Sequence, residues 1–354
     1  MKEQLLSYME ENHLDGFYIS NPENVRYISG FTGDDSYLLV TKEKSYFLTD
    51  PRYTEQASYE CPQYEIINWR LSGKDLGDAI ASIVDINNIS KIGFESNHLT
   101  FDKYTMIQEK QKIELIATAE VMEVFRSNKS LQEIEYSKIA CDIASRAFEK
   151  ICKDIRVGVT EKEIASRLSH YMVMEGADTK PYGGIVISGA RTSLLHGIPS
   201  GKSIEYGDLV LMDYGCQYKG YMSDMTRTVV VGKATDKQRE VYELEKRMVE
   251  DVEAILKAGV TSVQAYEASI LAIKDTEYMQ YNYSGIGHGV GLFVHEPPFM
   301  GAYGKYELAP NNIITVEPGI YIPGWGGIRI EDQVLITECG CENLIHATKE
   351  LIEL

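Results

Sequence analysis

Two stretches of this chain carry acidic residues where strand-forming residues surround them. In LVLMDYGCQYKGYMSDMTRTVVVG, residues 209–232, runs rich in Val, Leu, Tyr and Thr flank Tyr218-Lys219-Gly220. Gly220 can take positive φ there, so the stretch reads as a β-hairpin. A turn centred on these three residues sets Asp213 opposite Asp224. Facing carboxylates repel unless a positive charge lies between them, and a metal ion is the simplest source. For this hairpin alone, strand-end or turn aspartates serve equally well as an explanation. A second hairpin, NIITVEPGIYI at 312–322 and GIRIEDQVLIT at 327–337, turns at Pro323-Gly324-Trp325 and sets Glu317 opposite Glu331. Between the hairpins lies GIGHGVGLFVHEPP, with His288 and His295. Four carboxylates and an imidazole are a donor set for a pair of hard-to-borderline divalent ions.

Elements that could hold such a set recur in order. FRSNKSLQEIEYSK reads as a hinge and is followed by a helical period in which Leu131, Ile134, Ile139, Ile143, Ala147 and Ile151 fall near one face. A second helix starts at Thr160 with Glu163 as capping-box partner. Strand-like GGIVISG at 183–189, the loop RTSLLHGIPSGKSIEYGD and the first hairpin come next. A helix from about Asp236 to Ala258, another starting at Thr261 with Gln264, the His288 segment and the second hairpin repeat the order. The pattern implies an internal pseudo-repeat with the site where its halves meet. Residues 1 to about 120 mix short strands (16–20, 36–41, 44–50) with a helix at Asp75–Val84, which suggests a separate α/β domain. His13 and His98 read there as surface or core residues, and Asp50-Pro51-Arg52-Tyr53 is its one notable polar turn.

The formal net charge of −18 argues against a nucleic-acid partner, which calls for a clustered basic face. No apolar run has the length of a membrane span, and MKEQLLSYMEENHLDG is too polar for a signal peptide. Six scattered cysteines fit reduced thiols in the cytoplasm. Cys339-Gly-Cys341 lacks the two-residue gap of the usual metal or redox pair. His295-Glu296 is no zincin helix, because Pro297-Pro298 follows. The glycines around His288 lack the lysine of a phosphate loop and read as places of close backbone approach.

DYGCQYKGYMSDMTRT, GHGVGLFVHEPP, TVEPGIYI and GIRIED, in this order, closely resemble the proline-specific metallopeptidases of the pita-bread fold, the group of aminopeptidase P and prolidase. NPENVRYISGFTG and DPRYTEQA resemble that group's N-terminal creatinase-type domain. The resemblance implies an α/β (α+β) chain: a creatinase-like domain over 1–123, then a pita-bread catalytic domain over 124–354. It implies two divalent metal ions held by Asp213, Asp224, His288, Glu317 and Glu331. Asp224 and Glu331 would bridge them, Asp213 would bind one, and His288 and Glu317 the other. Oxygen-rich ligands favour Mn²⁺, with Co²⁺, Zn²⁺ or Fe²⁺ as alternatives. Glu317 would also relay a proton, and His295 would donate to the developing oxyanion. His196 matches a histidine that lines the substrate site. Arg329 shares strand parity with Glu331 and can orient a ligand from behind; Thr226 stands in the same relation to Asp224, where an ordinary strand threonine serves nearly as well as an explanation. A homodimer acting on proline-containing peptides is implied as well.

Two positions depart from the group: Ser284 and Leu195 replace a common histidine and proline. A metal-free relative or a silent binding module fits less well, because all five ligands are intact. The activity implied is cleavage of the Xaa-Pro bond. HEPPFMGAYG offers Phe299 and Met300 and no Arg or Lys before Lys305. Such apolar walls suit a continuing peptide better than a free carboxylate, so an Xaa-Pro aminopeptidase is expected, with the Xaa-Pro dipeptidase, prolidase, as the alternative.

Overall fold

The computed structural model describes residues 2–71, 75–110, 112–178 and 184–354. The chain divides into two compact units, Met1–Arg126 and Ser127–Leu354. The border expected at 123/124 falls inside a helix, Val121–Ser127.

The first unit is built on a six-stranded mixed sheet in the order Glu65–Asn68, Ser45–Thr49, Tyr37–Thr41, Gly16–Ile19, Lys91–Glu95, Glu114–Thr118. Its middle strands are buried on both faces, which is why GFYI and YLLVT read as continuous apolar runs. Asn21 caps the helix Pro22–Ser29, whose Pro sits in the first turn, and Gly30 at φ 80° ends it. The turn Asp50–Tyr53 is an ion-pair corner in which Arg52 bonds both Asp50 and Asp35. His98 shares a hydrogen bond with Ser20 Oγ at 3.3 Å.

In the second unit the order helix, helix, strand, hairpin occurs twice. Helices Leu131–Ile151 and Glu161–Met174 lead to the strand Ile185–Ser188 and the hairpin Leu209–Tyr214/Met225–Val230. Helices Asp236–Glu253 and Ser262–Ser269 lead to Gly285–Gly289 and the hairpin Ile313–Val316/Asp332–Ile336. Capping boxes start all four helices: Ser130/Glu133, Thr160/Glu163, Thr235/Gln238 and Thr261/Gln264. The third helix ends at Glu253 rather than Ala258; Gly259, at φ 87°, closes the turn beyond it. Leu131, expected on the buried face, is exposed in the first turn, ahead of buried Ile134, Ile143, Ala147 and Ile151. In the strand expected at 183–189, Gly183 lies outside the described residues.

Strand parity divides the core. Val210, Met212 and Tyr214 pack with the first helix pair, whereas Ile314, Val316, Val334 and Ile336 pack with the second. Each helix pair therefore packs on one face of its own hairpin, and residues of the opposite parity, Asp213 and Glu317 among them, line a cavity.

Register decides where the acids stand. In the second hairpin Ile313 faces Leu335 and Val316 faces Asp332; its continuation pairs Gly319 with Arg329 and Ile322 with Gly326. Glu317 and Glu331 fall opposite each other in the same register, as expected. In the first hairpin Asp213 faces Thr226, not Asp224. The turn is the pair Lys219-Gly220, both with positive φ (52° and 92°), which puts the register two residues away from an Asp213–Asp224 pairing. Positive φ at both central residues is what a type I′ turn requires. The shift makes Asp213 and Asp224 diagonal neighbours. A two-residue change preserves parity, so they stay on one face.

The hairpins join along a seam. Thr226 and Glu331 form a single β-bridge, with Glu331 N–H donating to Thr226 O at 3.0 Å. On either side, side chains continue the ladder: Thr228 Oγ1 donates to Arg329 O (3.0 Å), and Asp224 N–H donates to Gln333 Oε1 (2.8 Å).

Candidate metal centre and active site

The seam opens on one face into a cavity of about 970 Å³, lined by His196, Asp213, Asp224, His288, His295, Glu317 and Arg329 among others. At its base, ligand atoms of Asp224, His288 and Glu331 lie within 4.8 Å of one another.

His288 is delivered by Gly285–Gly289, which can reach its neighbours only because its glycines lack side chains. A Cβ at Gly287 would stand 2.1 Å from Thr315 O, and one at Gly289 2.3 Å from Pro297 O. His288 N–H donates to Thr315 Oγ1 (3.1 Å), and Thr315 Oγ1 donates to Glu317 Oε1 (3.1 Å). The His288 Nε2 lies 3.1 Å from Glu317 Oε1 and 3.7 Å from Asp224 Oδ2. Burial alone would lower the His288 pKa, but the hydrogen bond and charge of Glu317 outweigh it and hold it at about 9. Burial pushes Glu317 up, and His288 with Arg329 pulls it down to about 2.

Arg329, fully buried, fixes the other side. It is ion-paired with Asp213 through Nη2. Its Nη1 donates to the Tyr321 hydroxyl (2.7 Å), and its Nε to Thr226 Oγ1 (3.1 Å). The Thr226 hydroxyl in turn donates to Glu331 Oε2 at 2.7 Å. Asp213 is raised by burial against the pull of Arg329. Glu331 is raised well above the ordinary range by burial and then by the charges of Asp224, Glu317 and Asp213. Its second oxygen, Oε1, is buried with no hydrogen-bond partner. A buried carboxylate oxygen without a partner, among three like charges, is costly unless a cation joins it. Oxygen donors plus one imidazole fit a pair of divalent ions; Asp213, Asp224, His288, Glu317 and Glu331 are the residues that would hold them.

His295 is exposed at the rim, its ring centroid 4.3 Å from that of His288. Burial of part of the ring, then the positive His288, lowers its pKa, so near neutral pH it carries one N–H to donate. His196 is exposed on the facing wall, on the loop 189–200.

The reading of the sequence passed over Tyr321, Thr315 and Gln333. Thr315 and Gln333 stand two residues from Glu317 and Glu331, so the parity rule that picked out Arg329 also selects them. Tyr321 carried no signal of its own.

Profiles of known families match in two places: "Metallopeptidase family M24" over residues 135–338, and "Creatinase/Prolidase N-terminal domain" over residues 2–127. Among solved structures, the chain is similar to the Xaa-Pro dipeptidase from Bacillus anthracis (39% identity, TM-score 0.95, covering 100% of this chain and 99% of that one). It is also similar to the X-Pro aminopeptidase from Thermotoga maritima (34%, TM-score 0.90, covering 100% and 99%). The Xaa-Pro dipeptidase of Pyrococcus furiosus is 36% identical over 99% of each chain.

Proposed function

This chain belongs to metallopeptidase family M24, and on that premise we propose that it is an Xaa-Pro dipeptidase, a prolidase. The observation that carries the reading is the full-length likeness to the Bacillus anthracis dipeptidase; the Pyrococcus furiosus dipeptidase supports it. The expectation of an aminopeptidase gives way to its alternative. It rested on the lack of a cation just after His295, whereas the cavity is lined by other segments as well, among them the loop that carries His196. The aminopeptidase remains the second reading, favoured by the Thermotoga maritima likeness and by exposed Phe299 at the wall.

Bound divalent ions would supply Lewis acidity at the scissile carbonyl and a more acidic water. The protein's residues do the rest. Arg329 keeps Asp213 aimed into the cavity and, through Thr226, fixes the Glu331 carboxylate. Neutral His295 donates an N–H to the carbonyl oxygen as negative charge builds there. Glu317 takes the proton of the attacking water on its carboxylate and passes it to the proline nitrogen as the C–N bond breaks. His196 meets the far end of the substrate.

The proposal includes Mn²⁺ as the ion, a homodimer and a cytoplasmic setting; all six cysteines are free, as a reducing compartment requires. Among the described residues no helix is long and apolar enough to cross a membrane. The test is kcat/KM of the Mn²⁺-loaded protein on Xaa-Pro and Xaa-Pro-Xaa series. Dipeptides should be the better substrates. Release of the first residue from tripeptides and longer chains, with dipeptides untouched, transfers the assignment to the aminopeptidase.

A further inference from the structure

The loop 189–200 makes one wall of the cavity and carries His196. It begins with the short 3₁₀ turn Gly189–Ser193 and returns at Ser200. Its two ends converge on one side chain. Glu161, fully buried, accepts from Ser188 N–H (2.8 Å) and Oγ (3.1 Å) on Oε1, and from Ser200 N–H (2.9 Å) and Oγ (2.7 Å) on Oε2. Arg191 Nε lies 3.2 Å from both oxygens, and Arg191 Nη2 crosses the loop to Ile198 O at 2.8 Å. At the far end Arg329 Nη1 donates to Leu195 O at 3.4 Å.

Glu161 opens the helix Glu161–Met174, but that helix is already capped by Thr160 and Glu163. The carboxylate instead faces the loop. Charge-assisted bonds of this kind are among the strongest a protein makes, and one carboxylate offers about four acceptor sites. Burial pushes the carboxyl up, but its bonds from Ser200 and Ser188 bring it below the ordinary range.

We propose that Glu161 is a positioning residue for substrate recognition: it closes the neck of the loop 189–200 and so fixes where His196 meets the substrate. This rests on the dipeptidase reading, in which His196 is a contact residue.

The test uses the full metal-loaded chain. Glu161→Gln keeps the volume but removes the charge and turns an amide N–H₂ toward donors. It should keep its metal content and lose roughly 10–100-fold in kcat/KM on Xaa-Pro dipeptides, the usual range for a residue acting through another. The loss should fall mainly on KM. In a His196→Ala background the same substitution should cost little more. Equal losses in both backgrounds overturn the proposal, because Glu161 would then act through the fold at large. Should Glu161→Gln not fold, Ser200→Ala removes one hydroxyl donor from the same neck, with the same pattern expected at smaller size. A second measurement needs no activity. Trypsin should cleave after Arg191 in Glu161→Gln well before it does so in the wild type; equal resistance overturns the closed neck. An inert wild type whose Glu161→Gln variant is still cut at Arg191 would count against the dipeptidase reading and not against the neck.

Discussion

The seam between the two hairpins has a cavity face and a back face, and each holds an arginine–aspartate pair exchanged between the hairpins. On the back face Arg227 of the first hairpin meets Asp332 of the second at 2.6 Å. Its remaining donors reach the carbonyls of Thr226, Glu331, Ala347 and Thr348, and Asp332 also receives Lys349 and Asn343. On the cavity face Arg329 of the second hairpin meets Asp213 of the first. There Glu331 is left with a partnerless oxygen, and the acids outnumber the cations. The Arg227–Asp332 cluster is complete by itself. The cavity face is complete only with something positive added, and that difference separates a structural ion pair from a binding site made with the same residue types.

The strongest attack on this contrast is Glu331→Gln. It should abolish turnover and binding of one metal equivalent, by activity assay and metal analysis, yet leave the metal-free protein as stable as before or more so. A marked fall in the Tm of the metal-free variant would mean that Glu331 is satisfied as it stands. Arg227→Met should do the reverse. Breaking a buried pair costs about 3–5 kcal/mol, read by denaturant unfolding, with kcat of the folded enzyme unchanged. His295→Ala comes next: metal content should be kept and kcat should drop roughly 10²–10³-fold, as for a lost oxyanion donor. Loss of metal would make His295 a ligand instead. Thr226→Val removes the hydroxyl that joins Arg329 to Glu331. Hydrogen bonds to charged groups contribute about 1.5–3 kcal/mol, so a stability loss in that range is expected, with weaker metal binding.

The smallest effect is one of pH. Glu161 has its pKa depressed in the folded protein. Its contribution is fully present above the unfolded value of about 4.3 and is lost as pH falls through the depressed folded value. Corrected amide exchange of residues 189–200 should be flat from neutral pH down to that region and rise below it. In Glu161→Gln the rise should be absent.

Much of this was legible in the residues. The second hairpin could be registered because Pro323-Gly324-Trp325 leaves one way to close it. The first was misregistered by two residues because Tyr218-Lys219-Gly220 allows several, and nothing local says that Lys219 adopts φ 52°. The face survived the error, since parity tolerates a shift of two. Capping boxes announced the helix starts. What stayed hidden was the company each side chain keeps at long range: that Arg329 is tied to Asp213, 116 residues away, or that Ser188 and Ser200 share one carboxylate. Such pairings depend on tertiary packing, which period and spacing do not encode.

The two cationic partners already in the cavity, Arg329 beside Asp213 and His288 beside Glu317, bear on what a bound ion would have to displace. Each offsets part of the repulsion among the four acids. An incoming ion would therefore compete with Arg329 for Asp213 and with His288 for Glu317, so that its net affinity is the difference between the bonds it makes and the ion pairs it replaces.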